Sequence, residues 1–290
     1  MTYIGRFAPS PTGNLHFGSL VSALASFLDA RHHNGQWLVR IEDMDPPREQ
    51  AGADRAILHA LQTYGLQWDG EVLYQSSNHH RYYHLLDKLQ ERGLLYHCRC
   101  TRARLKTLNN CYDRHCRSLA LSADNNATRL MVDQPVYWDD IIQGEQSFDH
   151  AAIGGDFIVI RRDLLISYQI AVSVDDHEQG ITHVVRGADL LQSTARQRYI
   201  MQLMGWKLPN YAHVPLATHS NGDKLSKQTA APELPLGGTP IRSTLIAALQ
   251  FLNQDPPKEL AEKSIDHILN WAISHWCIDD ITKQTEKIAL

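Results

Sequence analysis

Long apolar runs, an N-terminal targeting signal and an excess of basic residues are all absent from this 290-residue sequence. Its uninterrupted apolar stretches, such as residues 157–160, are a few residues long, whereas a membrane-spanning helix needs about 20. The first residues also lack the charged start and apolar stretch of a signal peptide. We therefore expect a cytoplasmic protein without membrane contact.

Charge of one sign is not in large excess either: 28 Lys and Arg stand against 32 Asp and Glu, a net charge of −4. Any contact with nucleic acid must therefore depend on a local basic patch. The hydrophobic content of 43% and the charged content of 21% exclude a disordered or collagenous chain. At about 150 residues per domain, the length predicts about two domains.

Cysteines are few and unevenly placed, since four of the five lie between residues 98 and 116. An odd number argues against a disulfide framework, and reduced thiols grouped this closely are typical of tetrahedral zinc. The spacing nominates Cys98, Cys100 and Cys116, with either Cys111 or His115 as the fourth ligand. No open coordination position or adjacent general base is evident, so we expect a structural zinc. The alternative is a group of reduced, buried thiols.

Strand and helix patterns alternate in the first part of the chain. Two strands are predicted, at 2–8 and 37–41. Three helices are predicted: one starts near His16, one starts at Pro46 and Pro47, and one covers 78–92 before Gly93. The first helix has an apolar face of Leu20, Val21, Leu24, Phe27 and Leu28. The second has a face of Ile57, Leu58, Leu61 and Tyr64. This alternation predicts an α/β fold with a parallel, doubly wound sheet.

The alternation is lost over residues 94–166, which predicts an inserted subdomain, and it returns afterwards. The later elements are strands at 181–185 and 213–217, a helix over 193–204, a linker at 234–240, and helices that start at Thr239 and Pro240 and cover 258–276. We expect four units, at residues 1–93, 94–166, 167–237 and 238–290.

A turn rich in proline and glycine, residues 9–14, follows the first strand and leads into the helix near His16. A helix N-terminus at this edge of a parallel sheet offers N–H groups to phosphates. Gly13 and Gly18 let a nucleotide approach the backbone, and His16 can donate to a phosphate or sugar oxygen. The motif is neither a P-loop nor G-x-G-x-x-G. The alternative is a Pro/Gly turn with a helix-capping residue.

A second motif, Lys224-Leu-Ser226-Lys227, lies in a glycine-containing loop. Two lysines three residues apart can close over a triphosphate and stabilise the departing pyrophosphate. The alternative is a solvated surface loop.

Together, Pro9-Ser-Pro-Thr-Gly-Asn-Leu-His16-Phe-Gly18-Ser19 and Lys224-Leu-Ser226-Lys227 resemble the two signatures of class I aminoacyl-tRNA synthetases. Arg6-Phe-Ala-Pro-Ser-Pro-Thr-Gly and His183-Val-Val-Arg186-Gly-Ala-Asp189 look like the glutamyl branch, and the resemblance extends to about residue 230. Ser19 and Gln228 depart from the general motifs, although a small hydroxyl residue at the first of these positions is common in the glutamyl branch.

The resemblance implies a Rossmann-type parallel sheet with an inserted zinc-bearing subdomain that contacts tRNA, and a short C-terminal helical region without an anticodon-binding domain. It implies His16, Lys224 and Lys227 as catalytic residues. The implied ATP-binding residues, with Mg²⁺ on the phosphates, are Pro9, Gly13, His16, Gly18, Ser19, Lys224, Ser226 and Lys227. About fifty residues follow the linker. This short C-terminal region makes the chain resemble the shortened paralogues that attach glutamate to queuosine in the anticodon loop of tRNA-Asp. We expect a monomer.

The resemblance also implies a glutamate site formed by Arg6, Phe7, Ala8, Pro9, Ser10, Glu42, Tyr168 and Arg186. Arg6 is expected to bind the side-chain carboxylate, because a planar guanidinium matches a carboxylate bidentately. Glu42 is expected to hold the α-ammonium group. The alternatives are structural ion pairs and, for Tyr168, a buried core tyrosine.

For the zinc site, the resemblance points to Tyr112 as the fourth ligand beside Cys98, Cys100 and Cys116, with Cys111 unused. The surrounding segment, residues 96–117, holds six Lys and Arg against one acid, a local charge near +5. We expect this patch to contact the tRNA backbone. The alternative is a set of solvated arginines around a metal site.

These expectations combine into a two-step reaction: glutamate attacks the α-phosphate of ATP, and a queuosine hydroxyl then takes glutamate from the adenylate. The alternatives are a truncated glutamyl-tRNA synthetase that charges an acceptor end, and a non-enzymatic paralogue that binds tRNA or glutamate. A small-molecule nucleotidyltransferase is a third, but it leaves the basic zinc subdomain without a role.

Overall fold

Alternating strands and helices form the first part of the chain in a computed structural model, which describes residues 2–218 and 233–289. The elements are β1 Ile4–Phe7, α1 Phe17–His32, β2 Gln36–Ile41, α2 Ala53–Thr63, β3 Leu73–Tyr74 and α3 His79–Glu91. The three strands are parallel, in the order β1-β2-β3. The expected apolar face of α1 is buried, and so are Ala23, Ala25 and Asp29, because β1, β2 and C-terminal helices surround this helix.

The helix expected to start at Pro46 and Pro47 begins later, so this prediction is wrong. The prolines form a 3₁₀ turn, and α2 starts at Ala53 after Gly52, whose φ is +80°. Between them, the Gln50 N–H donates to the carbonyl of Pro11 at 2.9 Å. The chain after the prolines is therefore tied to the turn that follows β1, and the left-handed Gly52 precedes the first turn of α2.

The middle of the chain contributes to two sheets. Its elements are β4 Leu95–Cys98, α4 Arg102–Thr107, β5 Ala127–Leu130, β6 Val136–Asp140, β7 Gly144–Phe148, α5 His150–Ile153 and β8 Phe157–Ile160. Strands β4, β5 and β8 form an antiparallel sheet of their own. The β6–β7 hairpin pairs elsewhere, so the expected 94–166 unit does not coincide with one sheet. Local patterning cannot show which distant strand a hairpin will join.

The α/β alternation resumes with α6 Tyr168–Glu178, β9 His183–Gly187, α7 Leu191–Leu203, β10 Asn210–Val214 and β11 Leu216–Thr218. Strand β10 pairs in parallel with β9 on one side and with β6 on the other. The Thr182 N–H donates to the carbonyl of Ile4 at 2.9 Å, which joins this sheet to β1. The strand expected over 213–217 is instead split between β10 and β11 at Pro215, which has no N–H to donate.

The last elements are α8 Pro240–Phe251, α9 Ile265–His275 and β12 Glu286–Ile288. Pro240 begins α8 as expected, but the Thr239 side chain makes no capping hydrogen bond. Residues 258–262 form a 3₁₀ turn ahead of α9, so the helical stretch expected over 258–276 is divided in two. The N-terminal end of the expected linker is bound to the turn before α1, because the Leu234 N–H donates to the carbonyl of Leu15 at 3.1 Å.

Strand β12 pairs in parallel with β11 and so ties the C-terminal segment to the strand that follows β10. Helices α8 and α9 pack against α1 within the largest hydrophobic core. In the part of the chain that the structure describes, no helix has the length and apolar character that a membrane crossing requires.

Candidate active site

A cavity of about 770 Å³ opens where β1 and β9 end. It is lined by ten of the predicted site residues, Arg6, Phe7, Ala8, Pro9, Ser10, His16, Gly18, Ser19, Tyr168 and Arg186. A neighbouring cavity of about 440 Å³ is lined by Glu42 and shares Ser10, Arg48 and Tyr168 with the first. The predicted residues Lys224, Ser226 and Lys227 lie outside the described residues.

His16 occupies the N-cap of α1. Its backbone is extended, and its Nδ1 accepts a hydrogen bond from the Ser19 N–H at 3.3 Å. A neutral imidazole that accepts at Nδ1 carries its proton on Nε2, which can donate. No acidic residue lies in the first turn of α1, so the positive end of the helix dipole keeps its full effect at the cavity.

Gly13 shapes the turn between β1 and α1. Its φ is +125°, and a Cβ at this position would lie 3.0 Å from the Gln50 Oε1. The residue is not among those that line the 770 Å³ cavity. Glycine is therefore needed here for the backbone conformation and for close packing against Gln50.

A buried charge cluster lies at the end of the cavity where Arg6 enters. The Arg6 Nε and Nη2 donate to the two carboxylate oxygens of Asp176 at 3.3 and 3.2 Å. Arg40, fully buried, lies 2.8 Å from Asp176, 3.4 Å from Glu42 and 3.8 Å from Asp175. Two arginines thus face three carboxylates, which leaves one negative charge without a compensating partner.

Glu42 is the carboxylate of this cluster that reaches a cavity, and it is 7% exposed. Burial raises its pKa to about 7, although Arg40 and Arg6 act in the opposite direction. Asp176 differs, because direct contacts with both arginines overcome burial and hold its pKa at about 2. Glu42 is therefore the member of the cluster that a cationic ligand would stabilise most.

Sequence reasoning missed Arg40, Asp175 and Asp176, which complete the charge cluster. Asp175 is held by the Gln75 Nε2 at 2.7 Å and the Tyr82 hydroxyl at 2.9 Å. A signal was present, because the two adjacent acids follow an otherwise apolar stretch of α6 that is buried throughout. Acids in such a position are rarely left unpaired.

Arg186 carries a positive charge that no carboxylate neutralises among the described residues. Its Nη2 donates to the Thr194 Oγ1 and the Gln197 Oε1, both at 2.7 Å. Its Nε reaches the Nε2 of His213 at 3.4 Å. Its Nη1 is buried and has no hydrogen-bond partner within residues 2–218 and 233–289. An arginine in this state is prepared to bind an anionic ligand.

Tyr168, the first residue of α6, lines both cavities, of which one is also lined by Arg186 and the other by Glu42. Burial raises the pKa of its hydroxyl, Glu42 raises it further, and Arg186 lowers it. The site therefore presents a carboxylate and an uncompensated guanidinium in two neighbouring cavities that share this tyrosine. These charges match a ligand that bears an ammonium group and a carboxylate at separate positions.

Three thiols come together in the small antiparallel subdomain. The Sγ atoms of Cys98, Cys100 and Cys116 all lie within 4.8 Å of one another. The Tyr112 hydroxyl lies 3.5 Å from the Cys98 Sγ, while Cys111 and His115 are not members of the group. This soft donor set can hold a metal ion.

Tyr112, the predicted fourth ligand, is held by a close approach between backbones. Tyr112 forms a bridge with Gly155, whose φ is +76°, and a Cβ there would lie 2.4 Å from the Tyr112 carbonyl oxygen. The Arg129 guanidinium lies 3.8 Å from the centre of the Tyr112 ring. Burial raises the pKa of the Tyr112 hydroxyl, so this phenol would be deprotonated only when a cation binds its oxygen.

Half of the basic residues around the thiols form ion pairs with acidic residues of the protein. Arg104 pairs with Asp113 at 2.6 Å, Arg117 with Asp156 at 3.1 Å, and Arg114 with Asp133 at 3.4 Å. The three remaining basic side chains of this segment, Arg99, Arg102 and Lys106, are exposed and make no ion pair with the described residues. The local charge near +5 expected from the sequence is therefore too high, because acids from residues 133 and 156 fold back onto the patch.

Comparison with known proteins agrees with this geometry. Residues 4–232 match the catalytic domain of class I tRNA synthetases (E and Q). A glutamyl-Q tRNA(Asp) synthetase of Serratia proteamaculans is 52% identical over 289 residues, which cover 99% of this chain and 94% of the relative. The Escherichia coli K12 protein of the same name is 52% identical over 275 residues, or 94% of this chain and 89% of the relative.

Solved structures show the same fold. A glutamate tRNA ligase from Elizabethkingia meningosepticum, in complex with its amino acid, superposes with a TM-score of 0.82 at 25% identity, covering 100% of this chain and 67% of the ligase. A tyrosyl-tRNA synthetase from Aeropyrum pernix has a TM-score of 0.53 at 13% identity, which shows the fold alone. The resemblance to class I synthetases is thus confirmed, and the chain belongs to the class I (E and Q) tRNA synthetase family and, within it, to the glutamyl-Q tRNA(Asp) synthetases.

Proposed function

We propose that this protein activates L-glutamate with ATP and transfers the glutamyl group to queuosine in the anticodon loop of tRNA-Asp. The observation that carries the proposal is the charge pattern of the site. Arg186 offers a guanidinium that no carboxylate neutralises among the described residues, Glu42 offers a carboxylate that reaches a cavity, and Tyr168 lines the cavities of both. The N-terminus of α1 faces the same cavity and can receive the phosphates.

In the proposed complex, Arg186 and Arg6 bind the side-chain carboxylate of glutamate, and Glu42 binds its α-ammonium group. Arg186 takes the larger share, because the charge of Arg6 is already paired with Asp176. Residues 7–10 form the wall of the pocket, and Tyr168 separates its two ends. The α-carboxylate is then left to face the first turn of α1.

ATP binding is proposed for Pro9, Gly13, His16, Gly18 and Ser19, with Lys224, Ser226 and Lys227 on the triphosphate. An α-carboxylate oxygen of glutamate attacks the α-phosphorus, the bond to the bridging oxygen breaks, and pyrophosphate leaves with its Mg²⁺. The Nε2–H of His16 and the N–H groups of the α1 N-terminus donate to the phosphate oxygens where negative charge increases. In the second step, a queuosine hydroxyl attacks the glutamyl carbonyl and AMP leaves.

The rest of the chain is assigned to tRNA binding and support. Exposed Arg99, Arg102 and Lys106 are proposed to contact the tRNA backbone from the 94–166 subdomain, whose thiols are proposed to hold one structural zinc. The zinc ligands are Cys98, Cys100, Tyr112 and Cys116. We further propose a cytoplasmic monomer, in keeping with five free cysteines.

Two measurements test the proposal. The wild-type protein is expected to catalyse glutamate-dependent ATP–pyrophosphate exchange, and Arg186→Gln is expected to lower kcat/KM for glutamate by about 100-fold or more, because a buried carboxylate would lose its charged partner. Labelled glutamate is then offered to tRNA pools with and without queuosine. Label confined to the queuosine-containing pool supports the proposal.

The likeness to a glutamate tRNA ligase makes acceptor-end charging the second candidate. Equal label on both pools, abolished by oxidation of the tRNA 3′ end, would establish that activity in place of queuosine modification. Glutamate binding without any exchange would instead indicate a non-enzymatic paralogue.

A further inference from the structure

Behind Arg186, on the side away from the cavity, two polar residues are completely enclosed. His213 on β10 is 0% exposed, and Asp140 at the end of β6 is 2% exposed. The His213 Nδ1 lies 2.5 Å from the Asp140 Oδ2. Neither residue lines the 770 Å³ cavity, so neither can touch a ligand there.

The other oxygen of Asp140 is held by the backbone. The Asp140 Oδ1 accepts from the N–H groups of His213, Gln143 and Ile142, at 3.0, 3.0 and 3.2 Å. Three N–H donors keep the carboxylate ionised, and hydrogen bonding to His213 lowers its pKa even though burial acts in the opposite direction. Asp140 therefore accepts, rather than donates, the proton that it shares with His213.

This arrangement determines which nitrogen of His213 carries the proton. Burial lowers the pKa of His213, which keeps the ring neutral, and its single proton lies on Nδ1 against Asp140. The Nε2 is then an acceptor. It meets the Thr194 Oγ1 at 2.8 Å and the Arg186 Nε–H at 3.4 Å.

We propose that Asp140 and His213 are positioning residues that hold the Arg186 guanidinium with its Nη1 aimed at the side-chain carboxylate of glutamate. The inference rests on the proposed function, since it assigns Arg186 to that carboxylate. Neither residue was predicted from the sequence, and both act through Arg186 rather than on the reacting atoms.

A neutral histidine suits this task better than a carboxylate in direct contact with the arginine. At Arg6, Asp176 orients the guanidinium but also neutralises it. At Arg186, the partners Thr194, Gln197 and His213 are neutral acceptors, and the anion is placed one residue further back. Arg186 is thereby held in one orientation while its charge remains available to the ligand.

The test uses Asp140→Asn in the full-length protein. The amide oxygen introduced by this change can still accept from the backbone, but the amide nitrogen would donate to the His213 Nδ1 and force the proton onto Nε2, against Arg186. We expect the KM for glutamate in ATP–pyrophosphate exchange to rise about 10- to 100-fold, with the KM for ATP unchanged. The ¹⁵N chemical shifts of His213 should show the exchange of tautomer.

Two further variants separate positioning from folding. His213→Gln retains an acceptor oxygen near Arg186 and should stay within a few-fold of the wild-type KM for glutamate, whereas His213→Leu should resemble Asp140→Asn. If Asp140→Asn fails to fold, this pair still decides the question. Asp29→Asn is the matched control, because Asp29 is an equally buried acid that accepts from the Trp276 Nε1 at 3.0 Å and is not a cavity-lining residue.

A wild-type KM for glutamate in Asp140→Asn with the tautomer exchanged would overturn the positioning role and leave the proposed function intact. Equal KM values in His213→Gln and His213→Leu would overturn it as well. Absence of glutamate-dependent exchange in the wild-type protein would overturn the proposed function, and this inference with it.

Discussion

Two regions of this molecule bury polar groups, and they differ in what completes them. Beneath the proposed glutamate pocket, Arg6, Arg40, Asp175 and Asp176 compensate one another, and one carboxylate, Glu42, remains for a ligand. In the cysteine group, the thiols of Cys98, Cys100 and Cys116 contact one another and Tyr112. The first region is nearly complete as protein alone, whereas the second brings together donor atoms that can bind a cation.

The two regions also differ in how far apart in the sequence their residues lie. The charge cluster joins residues as far apart as Arg6 and Asp176, so it exists only in the folded chain. The thiol group lies within nineteen residues and is braced by one glycine contact. Substitutions in the first region should therefore affect the stability of the whole fold or the binding of the substrate. Substitutions in the second should affect metal content and the stability of one subdomain.

The largest effect is expected from Arg40→Met. This change leaves three buried carboxylates opposite Arg6 alone, and breaking a buried ion pair costs about 3–5 kcal/mol in the free energy of unfolding. Urea denaturation of the purified protein measures the loss. Arg48→Met is the control, since its pair with Asp45 is exposed and an exposed pair contributes about 0–1 kcal/mol. Equal losses in the two variants would contradict the distinct status of the buried cluster.

The next effect concerns the metal. Cys116→Ser removes one of the three grouped thiolates, and we expect zinc content to fall from about one equivalent to a small fraction of it. Elemental analysis of the purified variant provides the measurement. Cys111→Ser is a matched control from the same segment, because Cys111 lies outside the group. Retention of zinc by Cys116→Ser together with its loss in Cys111→Ser would reverse the ligand assignment.

An intermediate effect is expected from pH. The pKa of Glu42 is about 7, well above the usual range for a carboxyl, so the group is protonated below that pH and loses its attraction for an ammonium ion. The KM for glutamate should therefore fall as pH rises toward 7 and then level off above about pH 8. Glu42→Gln should give a high KM without this dependence. A profile that is unchanged in Glu42→Gln would assign the titration to another group.

The smallest effect is expected at the basic surface of α4. Arg102→Gln and Lys106→Gln should each reduce the slope of log affinity for tRNA against log salt by about 0.7–0.9, because each releases one fewer counterion. Glutamate-dependent exchange without tRNA should not change. Arg104→Gln, from the same helix, should reduce the slope less, since Arg104 already pairs with Asp113. Identical slopes in all three variants would remove the distinction between paired and unpaired cations.

Much of the candidate site could be predicted from the sequence because its signals are local. The turn after β1, the helix at His16 and the cysteine spacing each depend on residues close together in the chain. The prediction of a helix that starts at Pro46 was wrong because the Gln50 N–H donates to the carbonyl of Pro11. This is a contact between separate segments, which local patterns do not record. The charge near +5 failed for a similar reason, as Asp133 and Asp156 approach the patch from outside it.

By itself, the sequence determined the α/β character, the turn between β1 and α1, the family of the chain and the residues available for metal binding, because neighbours in the chain carry these signals. Only the tertiary structure decided which charges are cancelled. Arg6 meets Asp176, whereas Arg186 meets neutral groups backed by His213 and Asp140. The reason is physical: the effect of a buried charge depends on partners within a few ångströms, and packing between distant segments chooses those partners.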